Sequence, residues 1–338
     1  MRYKRLLKLG FLAFLVIGTV LIIRQQRAMP YQHDEGMVFG TVYHITYQCD
    51  KNLKTEIEAE LQKVDNALSM FNEQSDISRI NRNEDIQPGK MFVEVFQLAE
   101  KVSKETDGAF DITVAPLVNA WGFGFKEGKK PSQHGVDSLL QMVGYQKVTY
   151  QTGRVQKKDK RMMLDCSAIA KGYGCDVVAR MLKKRGIKNL MVEIGGEVVT
   201  TGVNEQREPW HIGVNAPSPS GDGDSGKLQA VLKLKDKALA TSGNYRNFYY
   251  SGGKKYAHTI DPMTGYPVQH NILSATVLAN DCATADAYAT AFMVLGLDGA
   301  MKILEKHSEL MAYLIYTDKK GQYSIWYSPS MRQRIIEE

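Results

Sequence analysis

Asp286 and Thr290 stand four residues apart in Thr284-Ala285-Asp286-Ala287-Tyr288-Ala289-Thr290. On a helix that interval puts carboxylate and hydroxyl on one face, and the alanines between them let another backbone come close. One carboxylate with neutral oxygens is how proteins commonly hold Mg2+, whose remaining positions go to water and substrate phosphate. The same interval fits a solvent-facing Asp with Thr290 bonded back to the carbonyl four residues earlier, and spacing alone does not choose. A second cluster is Leu164-Asp165-Cys166-Ser167-Ala168-Ile169-Ala170-Lys171-Gly172-Tyr173, a strand running into a helix whose first N–H groups are open to an anion. Asp165 or Ser167 would serve equally as a helix cap. Lys171, close to the helix start, opposes the dipole unless something anionic holds it, which points to phosphate. The segment lacks GxxxxGK[ST], so it is not a P-loop, and Gly195-Gly196 is not a dinucleotide fingerprint.

A third cluster, Thr106-Asp107-Gly108-Ala109-Phe110-Asp111-Ile112-Thr113, leads into Pro116 and Trp121-Gly122-Phe123-Gly124. Gly and Asp followed by aromatics suit a loop that approaches a flat ligand. A helix C-cap with Gly108 in the left-handed conformation accounts for the same letters. His258 stands beside the turn-forming Asp261-Pro262, with six other histidines in the chain.

The elements that must position these groups are legible in outline. Val38 to Tyr47 alternates with the period of a strand. Leu53, Ile57, Leu61, Val64, Leu68 and Phe71 recur at the spacing of an amphipathic helix. Further helices are predicted over about 91–105, 168–185, 282–295 and 298–307. Strands are predicted near 147–151, 161–164, 189–194, 198–202, 210–215, 229–234, 272–279, 312–317 and 322–327. Pro217 to Gly226 is a polar, breaker-rich surface loop. Strands and helices mix without regular βαβ alternation, so the fold class is α+β: a largely antiparallel sheet with flanking helices in a single large domain over 31–338.

The chain has 338 residues, 43% hydrophobic and 24% charged, which excludes a disordered or fibrous protein. Its net charge of +6 lies entirely in Arg2, Lys4, Arg5, Lys8, Arg24 and Arg27, ahead of the first acid, Asp34. The remainder is neutral overall, so nucleic acid is not an expected partner. Leu9 to Ile23 carries no charge and is flanked by cations, which reads as an uncleaved membrane anchor over residues 1–30, exporting the rest. The expected location is the inner membrane, facing the periplasm. Cys49, Cys166, Cys175 and Cys282 include no CxxC pair, so neither a zinc site nor a disulfide framework is expected. The residues by themselves thus describe an exported α+β domain; a phosphorylated ligand with Mg2+ stays open beside the capping and solvent-facing readings, and no ligand is named.

In addition, the sequence resembles the FAD:protein FMN transferase, or ApbE, family. The resemblance rests on Gly40-Thr41-Val42-Tyr43, Ser69-Met70-Phe71-Asn72, Ser75 to Asn81, the 106–113 segment, 165–173, Val192 to Glu197, Thr241 to Asn247, His258 to Val268, and 283–296, in family order over roughly residues 36 to 330. It implies a bound FAD touched by Asp165 and Lys171, with the backbone of Ala109, Phe110 and Asp111 beside it. It implies Mg2+ held by the Ala168 carbonyl, the Asp286 carboxylate and the Thr290 hydroxyl, with His258, Thr259 and Ile260 by the pyrophosphate. Phe39 stands where the family usually has Met, and Phe71 where Tyr is commoner; both are expected cofactor contacts. The implied reaction moves FMN from FAD to a Ser/Thr hydroxyl of an exported acceptor, releasing AMP; the chemistry of imidazole makes His258 the candidate proton acceptor. The implied acceptor is a subunit of a membrane electron-transport complex. An FAD pyrophosphatase and an exported flavin-binding protein without turnover are the alternatives.

Overall fold

The computed structural model describes residues 2–124, 130–217, 224–244, 248–251, 254–269, 271–318 and 320–336. Its helices are α1 Arg2–Ala28, α2 Lys54–Leu68, α3 Asp76–Asn81, α4 Lys90–Glu105, α5 Ala115–Ala120, α6 Gln133–Leu140, α7 Ser167–Lys184 and α8 Cys282–Lys306. The main sheet has eight strands: β1 Tyr31–Val38, β2 Thr41–Gln48, β5 Leu190–Ile194, β6 Glu197–Thr201, β9 Ala238–Gly243, β12 Ile272–Ala279, β13 Met311–Thr317 and β14 Tyr323–Tyr327. Smaller pairings are β3 Val148–Gln151 with β4 Arg154–Lys157, β10 Phe248–Ser251 with β11 Lys254–Ala257, and a ribbon of β7 Trp210–Pro217, β8 Asp224–Leu234 and β15 Ile335–Ile336.

The main sheet runs β1-β2-β5-β6-β9-β12-β13-β14, and every adjacent pair is antiparallel. Helices cover one face: Val177 of α7 and Phe292 of α8 join Val277 of β12 and Leu314 of β13 in the largest apolar cluster. On the other face the ribbon's Val214, Leu232 and Leu234 close on Val198, Leu239, Leu278 and Ile315. β12 is therefore buried on both sides, and its Ile-Leu-Ser-Ala-Thr-Val-Leu-Ala run lacks the polar alternation of a half-exposed strand. The expected α+β class with a largely antiparallel sheet and flanking helices is what the chain adopts.

Several boundaries differ from the expected ones, for local reasons. The alternation from Val38 to Tyr47 crosses a hairpin turn, because Phe39 (φ 51°) and Gly40 (φ 75°) both take the left-handed region. β2 therefore begins at Thr41, and β1 precedes it. No strand forms at 161–164; the partner of β3 is β4, joined by Thr152 (φ 50°) and Gly153 (φ 78°) in the same kind of two-residue turn. The α2 helix stops at Leu68, before Phe71. Of the expected Pro217–Gly226 loop, Asp224 onward belongs to β8 and 218–223 lie outside the described residues. The two helices expected over 282–295 and 298–307 do follow one another in α8, separated where expected by the non-helical Gly296 (φ 73°, ψ 178°).

α1 is a helix whose apolar side chains between Leu9 and Ile22 face outward; Leu9 is 64% and Phe14 72% exposed. Among the described residues the one helix long and apolar enough to cross a membrane is α8, and it is a core helix; the apolar part of α1, Lys8–Ile22, is shorter. Cys166, Cys175 and Cys282 are buried free thiols and Cys49 is half-buried.

Candidate active site

The site is built where α7 and α8 cross. Gly172 makes the crossing possible: a β-carbon there would lie 2.4 Å from the Cys282 carbonyl oxygen and 2.9 Å from the Ala283 amide nitrogen, both backbone. The contact is fixed from α7 by Asp176, whose carboxylate accepts from the first N–H groups of α8, Cys282 N (2.8 Å) and Ala283 N (2.9 Å). Those are donors that a helix start otherwise leaves open. Burial pushes the Asp176 carboxyl up to about 7 despite these two bonds. One turn into α8, Asp286 is 3% exposed and its Oδ2 accepts from the Gly172 N–H at 3.1 Å. In a regular helix that N–H answers the carbonyl of Ala168, so Asp286 engages the donor belonging to an expected ligand carbonyl. Thr290 Oγ1 lies 3.2 Å from Ser242 Oγ at the end of β9. The solvent-facing alternative for Asp286 is thereby overturned, since the neighbouring helix covers it.

These groups share a cavity of about 390 Å3. Its wall includes Ala109, Phe110, Asp111, Asp165, Ala168, Lys171, His258, Thr259, Ile260, Asp286 and Thr290, which are eleven of the thirteen expected site residues. Phe39 and Phe71 do not line it. The hairpin turn directs the Phe39 ring inward, where its Cε2 fills the space beside Gly174, while Phe71, just past α2, is 74% exposed.

The 106–113 segment reaches the cavity because α4 ends in the turn that its letters also suggested. Gly108 takes φ 86° and its N–H returns to the Ser103 carbonyl at 2.8 Å, so capping and delivery of the loop are one feature. Asp111 spends its carboxylate on the loop itself, accepting from Thr113 N and Thr113 Oγ1 and from Tyr145 N, each at 2.7 Å. Burial pushes its carboxyl up. Asp165 caps the start of α7 by accepting from Ser167 N (2.7 Å), and its own N–H is held by the Ile112 carbonyl (2.7 Å), joining two walls of the cavity. Burial raises its carboxyl also. His258 follows β11 with its ring edge-on to Phe123, centroids 6.4 Å apart. The next residue, Thr259, donates from its hydroxyl to Asn244 Oδ1 at 2.8 Å. Residues 245–247 of the expected Thr241–Asn247 motif lie outside the described residues.

Glu197 is the site residue that the sequence reading missed. It is 2% exposed, and its Oε1 accepts from Lys171 Nζ at 2.6 Å. The available signal was an acid directly after Gly195-Gly196, which is a turn sequence ending in a buried position. Burial works against the Lys171 charge, yet the carboxylates of Glu197 and Asp286 outweigh it and hold the ammonium above its ordinary value. Both carboxyls are pushed up in turn, chiefly by burial. Two buried acids thus share one ammonium, a surplus of negative charge that a divalent cation would relieve. Among the described residues no three His, Cys, Asp or Glu side chains cluster as a metal centre. One carboxylate, one hydroxyl and one main-chain carbonyl on the same wall form a different donor set. It is all oxygen, as a hard cation requires.

Buried acids, an ammonium and the apolar side chains of Phe110, Ile112 and Val114 line one cavity of an α+β fold. Residues 39–315 match the ApbE family, and the chain belongs to it. It is 38% identical over 300 residues to the FAD:protein FMN transferase of Haemophilus influenzae, covering 84% of this chain and 86% of that one. It is 31% identical over 318 residues to the FAD:protein FMN transferase of Escherichia coli K12, covering 90% and 89%. Among solved structures, the flavin transferase ApbE from Vibrio cholerae superimposes with a TM-score of 0.81 at 33% identity, over 90% of this chain and 99% of that one. The apo flavinyl transferase ApbE of Pseudomonas stutzeri does so with a TM-score of 0.80 at 28% identity, over 90% and 97%.

Proposed function

We propose that this protein transfers FMN from FAD to a Ser or Thr hydroxyl of an exported acceptor protein and releases AMP. The reading rests above all on one juxtaposition: Lys171 and Asp286, from two different helices, on the wall of a cavity that His258 and the Ala109–Val114 loop also line. Lys171 Nζ gives one N–H to Glu197, leaving two for phosphate oxygens of the donor. Phe110, Ile112 and Val114, which also line the cavity, offer apolar contact to the flat part of the donor. When bound, Mg2+ held by the Ala168 carbonyl, the Asp286 carboxylate and the Thr290 hydroxyl would supply positive charge against the leaving phosphate.

The acceptor oxygen attacks the FMN-side phosphorus in line with the bond to the bridging oxygen. The new P–O bond forms as that bond breaks, and AMP departs with the electron pair. His258, as a neutral imidazole, takes the hydroxyl proton. Lys171 stands where charge grows on the departing phosphate, and a donor fixed in place needs no reorganisation as the charge develops. Flavin binding alone would make no use of a metal-type oxygen set beside a half-buried ammonium, which favours turnover over a carrier role.

The same reading places the domain outside the cytoplasm on α1, whose outward apolar side chains follow a cationic start. Its acceptor is then a subunit of a membrane electron-transport complex. The test is incubation of the full chain with FAD, Mg2+ and an acceptor bearing an Asp-Gly/Ala-x-Ser/Thr-Thr segment. A fluorescent flavinylated band is expected, lost on chelation and in Asp286→Ala. Free FMN and AMP without a labelled acceptor would mean a pyrophosphatase; intact bound FAD indifferent to Mg2+ would mean a carrier.

A further inference from the structure

The buried partner of Lys171 has no place in the chemistry just derived, yet its position is tightly specified. Glu197 is the first residue of β6, directly after Gly195 (φ 60°) and Gly196 (φ 99°). Two successive left-handed residues make the tight hairpin turn that lets β5 and β6 pair from Ile194 and Glu197 onward. The turn is held at both ends: Gly195 N donates to the Val42 carbonyl at 3.0 Å and Gly196 N to Glu193 Oε1 at 2.6 Å. A side chain on Gly195 would strike Thr41 Cγ2 at 2.7 Å, so the turn packs closely on the start of β2. The Glu197 carboxylate is therefore presented by a rigid strand end, on the cavity wall.

Lys171 differs in every respect. Its charge sits on a flexible four-carbon stem, and it projects from the first two turns of α7, where the helix dipole opposes a cation. Without a partner, such a side chain has every reason to swing to solvent. Oε1 of Glu197 prevents this at 2.6 Å, while Oε2 is buried with no hydrogen-bond partner among the described residues. A fixed acid thus grips a mobile cation beside the cavity.

We propose that Glu197 is a positioning residue of the transfer site, acting through Lys171, whose ammonium it holds so that the two remaining N–H donors face the diphosphate of the nucleotide. This rests on the transferase reading above. Glu197 contacts no reacting atom, and its effect on turnover passes through the Lys171 Nζ position.

A double-mutant cycle on the full chain tests the proposal, reading kcat and the KM for FAD with acceptor and Mg2+. Glu197→Gln keeps the volume and is expected to lower kcat by about 10–100-fold, the usual range for a group that orients a ligand-contacting residue. Once Lys171→Met has removed the ammonium, adding Glu197→Gln should change kcat by less than about twofold. Effects that multiply in the double variant would show that Glu197 acts independently and would overturn the proposal. Because Lys171→Met strands a buried acid and threatens folding, Glu197→Asp supplies a second arm. It retains the charge on a shorter stem, and transfer should fall although the melting temperature stays near that of the parent. Wild-type rates in Glu197→Asp and Glu197→Gln together would also sink the idea. If the parent chain gives no flavinylated acceptor, the transferase reading fails instead; FAD affinity by flavin fluorescence quenching then reads the same cycle without turnover, and additive affinity losses overturn the positioning role.

Discussion

Replacing Gly172 by Ala should cripple transfer far more than it destabilises the fold. The added β-carbon would lie 2.4 Å from the Cys282 carbonyl oxygen and 2.7 Å from its carbon. A carbon–oxygen contact settles at about 3.3 Å or more, and both obstructing atoms are backbone, so the start of α8 must move about 1 Å. The Asp286 Oδ2 bond to Gly172 N, now 3.1 Å, would then stretch past hydrogen-bonding range. Overpacking costs about 1–3 kcal/mol, of which roughly 1 kcal/mol returns because Ala favours a helix interior over Gly. A displacement of about 1 Å between catalytic groups, by contrast, costs about 100-fold in rate. The expected signature is a modest fall in melting temperature with a loss of about two orders of magnitude in flavinylated acceptor formed per minute. Gly18→Ala, in α1, where a β-carbon meets nothing within 4 Å, is the matching control and should leave the rate unchanged. A folded Gly172→Ala protein with the parent's transfer rate would refute the argument that this helix crossing sets the site.

Three further outcomes follow from the same geometry. His258→Gln should lower transfer, since an amide side chain cannot accept the hydroxyl proton; a parent-like rate would take His258 out of the mechanism. Asp176, raised to about 7 by burial from an ordinary 3.8, binds its proton more tightly folded than unfolded. Its contribution to stability is therefore fully present below about pH 4 and is lost as pH rises to about 7, at most about 4 kcal/mol. The melting temperature of Asp176→Asn relative to the parent should accordingly climb across that window, and a constant difference would contradict it. Removing residues 1–29 should release the protein from the membrane fraction with transfer to a soluble acceptor retained; a truncated chain that still sediments with membranes would show that α1 is not the anchor.

Local pattern alone determined much of the scaffold. Strands were legible near β5, β6, β12 and β13, and the i, i+3, i+4 recurrence marked α2, α4 and α7, because helical periodicity is a property of the helix itself. Even the break at Gly296 was written in the letters. The unforeseen pieces depended on partners or on backbone sign. The Phe39-Gly40 and Thr152-Gly153 turns depend on a non-glycine residue accepting a positive φ, which composition does not announce. β9 became a central strand through pairing with β6 and β12 on either side.

The site divides in the same way. Asp286 and Thr290 were readable as one helix face, and Asp165 and Ser167 as a helix start, since these relations span a few residues. Whether that face met solvent or a second helix was decided at Gly172, 114 residues away in sequence from the carboxylate it bonds. The Lys171–Glu197 pair is likewise tertiary: a helix places one charge and a strand end the other, and burial makes them depend on each other. Sequence fixes which groups are present and which neighbours share a face. Only the folded chain excludes water from between them, and without that exclusion these charges would be a scatter of solvated side chains.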